Sequence, residues 1–355
     1  LKCDGYNYTL YGEMSQRVMK CVKSFVPETE VYSIDECFLD FSSFKHYDLI
    51  QKSLEIRQKI KQWTGIPVGI GIGPTKTLAK IANFCAKKFV HNGVFLIDDF
   101  NKNEILKVFP VEEIWGIGRQ YAAKLKSFGI NTALELMEAN LAFIRQHFTV
   151  VGERMVYELR GVSCIPLNPP VVKKGICSSK SFGYSLTEEK DIAEALSDYV
   201  ARAAFKLRQQ QSRARGLEVF LMTNRFQVKK GQYANSMKYH LTVPTCATSE
   251  LIKIAKNCLA QIFKPGYEYH KTGINLFDLV HESQVQQHLF LDAVNHKSER
   301  VSKLVDQINQ KFGKKEVFWA AQGIEKAWQM KRSRCTPHYT TNWKQLPVVN
   351  CEKNA

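Results

Sequence analysis

The sequence predicts an α+β chain folded as several domains, and three observations predict it. Its 355 residues suffice for two or three domains with at least one sizeable core. Apolar side chains make up 45% and charged ones 24%, the balance of a globular chain rather than a disordered one. Strand and helix signals alternate along the front, and further back they fall into a β-α-β-β-α-β order.

The elements follow in order. Met14, Val18, Cys21, Val22 and Phe25 recur at helical spacing and predict a helix over 11–25. Residues 31–41 (VYSIDECFLDF) are rich in aromatic and β-branched side chains and predict a strand. A helix is expected over 47–63, broken by Gly65 and Pro67, then a short apolar strand over 66–72. Residues 75–88 form a Lys/Ala-rich helix and 93–97 a strand. Residues 105–160 read as helical, punctuated by Gly116, Gly118, Gly129 and Gly152, and 161–174 read as a linker holding Pro166, Pro169 and Pro170. The back half predicts strands over 176–184, 216–225, 233–243 and 267–280, with helices over 187–209 and 248–263. That order is the ferredoxin-like split pattern, whose open sheet face suits nucleic acid.

Charge narrows the function. The net charge is +16, unevenly spread: residues 1–170 carry 21 basic against 18 acidic side chains, and residues 171–355 carry 29 against 16. A near-neutral front and a basic back point to a polyanion bound mainly by the second half. No apolar run reaches the ~18 residues of a membrane span, so no membrane partner is expected. Ten cysteines without a C-x-x-C pair argue against a zinc ribbon or redox motif and fit scattered reduced thiols in the cytosol. The nine histidines show no metal-ligand spacing.

The sharpest chemical feature is Ser33-Ile34-Asp35-Glu36, two adjacent carboxylates inside an otherwise apolar stretch. Neighbours on a regular strand point to opposite faces, so both serve one site only if the chain turns there. Burying either charge requires a compensating cation, for which Mg²⁺ completed by substrate phosphates is suited; a solvated hairpin tip is the alternative. Gly69-Ile70-Gly71-Ile72-Gly73-Pro74-Thr75-Lys76-Thr77 fails both the dinucleotide and the P-loop patterns. It leaves a strand-to-helix turn whose helix N-terminus can hold an anion, with Lys80, Lys87 and Lys88 downstream as point charges for a triphosphate. Ile114-Trp115-Gly116-Ile117-Gly118, followed by the helical stretch from Arg119, has the helix-hairpin-helix form, in which glycines admit a nucleic-acid backbone. Lys180, Arg202, Arg208, Arg213, Arg215, Arg225, Lys229 and Lys230 scatter over the β-α-β-β-α-β region, interleaved with aromatic rings. Gln286, Leu289 and Phe290 read as a short peptide anchor, one polar contact and two side chains for an apolar pocket.

In this order, the segments YSIDECFLDFS (32–42), GIPVGIGIGPTKTLAKIANFCAKK (65–88), VEEIWGIGRQYAAKLKSFGI (111–130) and SSKSFG (178–183) resemble the Y-family DNA polymerases. AAQGIEKAWQMKRSRCTPHYTT (320–341) resembles the extra C-terminal region of the UmuC-type branch, the catalytic subunit of the bacterial SOS response, and sets the chain apart from the shorter DinB-like branch. The resemblance implies an α+β architecture: a partial palm and fingers over 1–104, a helical thumb with its helix-hairpin-helix over 105–165, a linker over 166–174, a little finger over 175–280, and over 281–355 a clamp-binding peptide and a basic C-terminal extension. It implies that Asp35 binds catalytic metal, Glu36 is the adjacent essential acid of the same Mg²⁺ site, and Lys87 meets the incoming triphosphate. Gly116, Gly118, Arg119, Lys180, Arg202 and Arg215 would hold DNA, and Gln286, Leu289 and Phe290 a sliding clamp, although Gln287 and the flanking residues depart from that peptide's consensus. The implied partners are damaged primer-template DNA, dNTP, a UmuD-type subunit, the clamp and a RecA filament, in a bacterial cytoplasm.

The family's opening D-x-N-x-F-Y segment, with a further metal-binding Asp, is not among these residues, which begin at Leu1 and read as a fragment. The intact protein is therefore expected to be an error-tolerant polymerase for damaged DNA and these 355 residues alone to be inactive. The alternative is a non-catalytic DNA-binding and partner-binding relative, or a truncated product, against which the retained Asp35, Glu36 and Lys87 weigh.

Overall fold

The computed structural model describes residues 7–44, 46–168, 172–227, 229–285, 296–313, 316–330, 336–346 and 348. The chain divides into two compact units, residues 1–170 with 334–355, and residues 171–333.

The first unit opens with α1 (Tyr8–Phe25), whose N-cap Asn7 accepts the Leu10 N–H. Asn7 is itself buried and donates its side-chain amide to the Thr336 carbonyl at 2.9 Å, so the far end of the chain returns to this helix. Where the composition predicts one strand over 31–41, the chain instead makes a hairpin: β1 (Thr29–Val31) pairs antiparallel with β2 (Cys37–Leu39). Local polar bonds outcompete a continuous ladder at its tip. The Tyr32 and Ser33 N–H groups both donate to the Glu36 carbonyl, and Ser33 Oγ donates to Asp35 Oδ1 at 2.6 Å. Helix α2 (Leu49–Thr64) is capped by Asp48, whose side chain accepts from Ile50 and Gln51, and ends at left-handed Gly65.

Strand β3 (Ile70–Ile72) runs parallel to β4 (Val94–Leu96), connected through α3 (Lys76–Lys88). Gly71 explains the glycine run between them. A Cβ there would lie 2.0 Å from the Asn83 nitrogen and 2.4 Å from the Ala79 carbonyl oxygen, so only glycine lets β3 lie on the α3 backbone. Helices α4 (Lys102–Val108), α5 (Arg119–Ser127), α6 (Ala133–Glu138) and α7 (Leu141–Arg160) follow, the last kinked at Thr149. Leu78, Ile81 and Cys85 of α3 share one apolar core with Leu106, Leu125, Leu136, Ile144, Phe148 and Leu159. A second core joins Val22 and Val26 to Ile56 and Ile60. The first half of the expected linker is pinned: Cys164 and Ile165 donate backbone N–H groups to the buried Glu158 carboxylate, and Asn168 donates its own to half-buried Glu30.

The second unit has the element order the sequence predicts: β5 (Ile176–Leu186), α8 (Glu189–Gln209), β6 (Ser212–Thr223), β7 (Ala234–Thr245), α9 (Thr248–Ile262) and β8 (Tyr269–His281). Its sheet order, β5-β8-β6-β7, differs from the ferredoxin-like expectation. Each β-α-β connection is still split by a strand of the other, but the first strand lies at an edge instead of in the centre. Leu217, Val219, Leu221, Ile274 and Leu276 face α8 and α9 and form the core with Ile192, Leu196, Leu251 and Leu259. The alternate residues Glu218, Phe220 and Met222 occupy the opposite face, register partners of Asn275, Gly273 and Lys271. Helix α10 (His296–Phe312) docks on this unit through polar side chains: Arg208 forks onto Asp306 at 2.6 and 2.8 Å, and Arg213 pairs with Glu299 at 2.7 Å.

Candidate active site

The five-residue tip between β1 and β2 brings Asp35 and Glu36 onto one turn. Asp35 is exposed and Glu36 half-buried. The sequence reading looks to Mg²⁺ for a compensating cation; in the structure Lys80 stands beside half-buried Glu36, its Nζ donating to Oε1 at 2.5 Å. Trp115, immediately before the Gly116-Ile117-Gly118 turn, packs its ring on Tyr32 and Phe38 of the hairpin. Asp35, Glu36, Lys76, Lys80 and Lys87 line one cleft of about 1590 Å³, whose other walls come from α1, β2 and β3. The structure thus gathers Asp35, Glu36 and Lys87, predicted from two separate motifs, around one space.

The lysines of α3 do different things. Lys76 is buried, donating to Glu30 at 2.5 Å and to the Pro166 carbonyl at 2.9 Å. Burial works against the Glu30 charge, but the Lys76 and Asn168 bonds win and hold its carboxyl below the usual range. Lys87 is exposed, its charge open to a ligand. In the cleft wall, burial with the Glu36 charge beside it pushes the Cys37 thiol up to about 11.

The anion expected at the α3 N-terminus is an internal one. Thr75 Oγ1 accepts the Leu78 N–H, and the Glu158 carboxylate accepts the Thr77 N–H at 3.1 Å. Sequence reading missed Glu158; its one signal was a carboxylate among the inward-facing positions Met155, Val156 and Leu159. The contrast with α5 is direct. Gly118 N-caps that helix without a side-chain bond, Gly116 holds φ +94°, and Gly116, Gly118 and Arg119 are all exposed. The free N–H groups of α5 therefore face outward, where a phosphate can reach them.

Other predicted contacts are placed differently. Arg215 is exposed beside the register shift of β6. Lys180 is the register partner of Thr272, itself opposite Leu221, so it belongs to the helix-covered side of the sheet. Arg202 stands on α8 and pairs one guanidinium nitrogen with buried Asp198 at 2.5 Å. Gln286, Leu289 and Phe290 lie outside the described residues.

The donor chemistry fits a hard divalent cation. Asp35 and Glu36 offer two carboxylates on consecutive residues, and among the described residues no group of three or more His, Cys, Asp or Glu is arranged as a closed metal cage. A pair of carboxylates suits an ion whose remaining coordination comes from water and substrate phosphate.

Comparison with known proteins agrees with this geometry. The family model described as impB/mucB/samB family matches residues 1–83, and that of its C-terminal domain matches 173–289. A domain of unknown function matches 299–349. Protein ImpB of Salmonella typhimurium is 40% identical over 352 residues, covering 97% of this chain and 82% of that protein. The chain belongs to the impB/mucB/samB family. Protein UmuC of Salmonella typhimurium, 39% identical over 97% of this chain and 83% of its own length, places this family member in the UmuC-type branch of the Y-family DNA polymerases. DNA polymerase IV of Pelotomaculum thermopropionicum is 26% identical over 87% of the chain and 75% of its own. Among solved structures, a Y-family DNA polymerase chimera matches the fold with a TM-score of 0.62 at 20% identity, over 77% of each chain. This impB/mucB/samB family member is accordingly a DNA polymerase with an α+β fold, and among its described residues no helix is long and apolar enough to cross a membrane.

Proposed function

We propose that the cleft between the β1–β2 hairpin and α3 performs error-tolerant DNA synthesis opposite damaged template bases, as part of a bacterial SOS response. The reaction is nucleotidyl transfer from dNTP to a primer 3′-hydroxyl, and it depends on a divalent metal. The observation that carries this reading is the convergence of Asp35, Glu36, Lys80 and Lys87 on one cleft in a member of the UmuC-type branch.

Asp35 and Glu36 would hold Mg²⁺. When bound, that ion supplies positive charge to the attacking oxygen and to the departing pyrophosphate. Lys87 neutralises the triphosphate as a point charge, and its exposed ammonium is available for that. The hairpin tip, fixed by Ser33 and Glu36 backbone bonds, orients both carboxylates before substrate arrives.

DNA is held by backbone contacts. The uncapped start of α5, with Gly116, Gly118 and Arg119, accepts template or primer phosphate. Residues 1–104 act as palm, 105–165 as thumb and 175–280 as little finger. The little finger meets the duplex with Arg215 and the face that α8 and α9 leave open; Lys180 and Arg202 add positive field more than direct contact. A sliding clamp at Gln286, Leu289 and Phe290, a UmuD-type subunit and a RecA filament complete the partners, in the cytoplasm.

Primer extension on damaged template tests this, using protein expressed from its complete reading frame. Asp35→Asn is expected to abolish nucleotide addition while primer-template affinity stays within twofold. Sustained synthesis by Asp35→Asn would refute the assignment.

A further inference from the structure

Helix α3 carries Lys80 and Lys87 into the cleft, and its start is fixed by a side chain 81 residues away in sequence. Glu158 lies in the last turns of α7 and is fully buried. Its Oε2 accepts the Thr77 N–H at 3.1 Å, and its Oε1 accepts those of Cys164 at 2.6 Å and Ile165 at 3.1 Å. Its backbone carbonyl accepts Thr75 Oγ1 at 2.8 Å. Among the described residues no lysine or arginine is paired with it. Three backbone donors and the positive end of α3 replace the cation that a buried carboxylate otherwise needs.

A second brace runs alongside. Lys76 ties Glu30 to the Pro166 carbonyl, and Glu30 accepts the Asn168 N–H at 2.8 Å. Both braces fasten residues 164–168 to the first turn of α3. They fix which way the helix faces. Lys76, Lys80, Asn83 and Lys87 are spaced i, i+4, i+7 and i+11, one face of the helix, and all four line the cleft.

We propose that Glu158 is a positioning residue for nucleotidyl transfer: it sets the tilt and rotation of α3 so that Lys87 meets the triphosphate while Lys80 stays on Glu36. The proposal rests on the polymerase reading of the cleft. Thr77 and Lys87 are ten residues apart, about 15 Å along a helix, so a tilt of about 5° at Thr77 moves the Lys87 backbone by about 1.3 Å. A misplacement of that size is enough to cost on the order of 100-fold in rate. Glu158 touches no reacting group and acts only through α3.

Single-turnover extension by the protein from its complete reading frame, normalised to the active fraction, separates positioning from mere stability. Glu158→Gln turns one acceptor oxygen into an amide that faces backbone N–H groups. It is expected to raise the KM for dNTP about tenfold per active molecule, with DNA affinity unchanged. Glu158→Asp, which keeps the charge on a shorter arm, is expected to recover part of that and serves as the readout if Glu158→Gln does not fold. In a Lys87→Ala background the Glu158 substitution should add little, because both act on one contact. An unchanged KM in the folded Glu158 variants, or full additivity with Lys87→Ala, overturns the proposal. Failure of the polymerase reading would show separately, as synthesis that survives Asp35→Asn.

Discussion

Trp115 donates its indole N–H to the Tyr32 hydroxyl at 3.2 Å, across 83 residues of sequence. The two rings meet edge-on at 5.5 Å, and Phe38 closes the triad 5.4 Å from Trp115. Lys80 sits 5.9 Å from the Tyr32 ring and Lys76 4.9 Å from that of Phe38. The hairpin that presents Asp35 and Glu36 is therefore tied to the glycine turn expected on the DNA backbone, and both are tied to α3.

Trp115→Ala should loosen that tie. Each aromatic pair is worth about 0.5–1.5 kcal/mol beyond its buried area, so losing both contacts costs about 1–3 kcal/mol of local stability. The expected outcome is a slower chemical step with unchanged DNA affinity, and Trp115→Phe, which keeps an aromatic ring against Tyr32 and Phe38, should recover most of the rate. Equal rates for the wild type and Trp115→Ala in rapid-quench extension would contradict the tie.

On the proposed function, a divalent cation at Glu36 would compete with Lys80 for the same carboxylate oxygen. The pair is part-exposed, so its strength is modest, about 0.2–1 kcal/mol. Lys80→Met is thus expected to lower the half-saturating Mg²⁺ concentration by a few fold at fixed dNTP. A rise instead would mean that Lys80 orients Glu36 rather than competing for it. A Mg²⁺ titration of the extension rate distinguishes the two.

Much of this architecture was legible in the sequence, and what was not has physical reasons. The β-α-β-β-α-β order and the Gly116-Ile117-Gly118 turn were readable because periodicity and glycine are local signals. The break at residues 32–36 was readable only as an alternative, the hairpin tip at Asp35-Glu36, because the aromatic and β-branched residues on either side suit a hairpin arm as well as one long strand. Sheet order was not, because Leu217 opposite Leu276 is a pairing set by the whole core. Arg202 looked free, yet Asp198 stands four residues before it, a helical ion-pair spacing that was present to be read. Glu30 and Glu158 could not be matched to Lys76 and Thr77 from sequence, because those bonds span 46 and 81 residues.

Acid should weaken the Glu30 brace. Burial opposes its charge, but the bonds from Lys76 and Asn168 hold the folded pKa below the ordinary 4.5. A lowered folded value means that the stabilisation is fully present above about pH 4.5 and is lost as pH falls through the folded pKa. Glu30→Gln should therefore destabilise the chain at pH 7 and flatten the acid limb of its stability curve below pH 4.5. Denaturant titrations of both proteins between pH 3 and pH 7 measure this. Parallel curves would show that Glu30 is not the group titrating.

The segment after α10 is part of the core of the second unit. Asp198 is 1% exposed and accepts from Lys326 at 2.8 Å and Gln322 at 3.1 Å, besides its pair with Arg202. Trp328, 4% exposed, donates its indole N–H to Glu194 at 3.0 Å, meets the Tyr199 ring at 5.7 Å, and accepts the Gly183 N–H through its carbonyl. Gln322, Lys326 and Trp328 fall in the matched domain of unknown function, so this part of that domain completes the β-α-β-β-α-β unit. Removing the Trp328 side chain opens a cavity over Tyr199, at a cost of about 3–5 kcal/mol. Asp198→Ala leaves Lys326 and Arg202 facing each other without their shared anion, a loss of about the same size. Both variants should raise amide exchange along α8 while leaving α3 and α7 protected. Exchange that rises equally in both units, or in neither, would show that the segment is not a local part of this core.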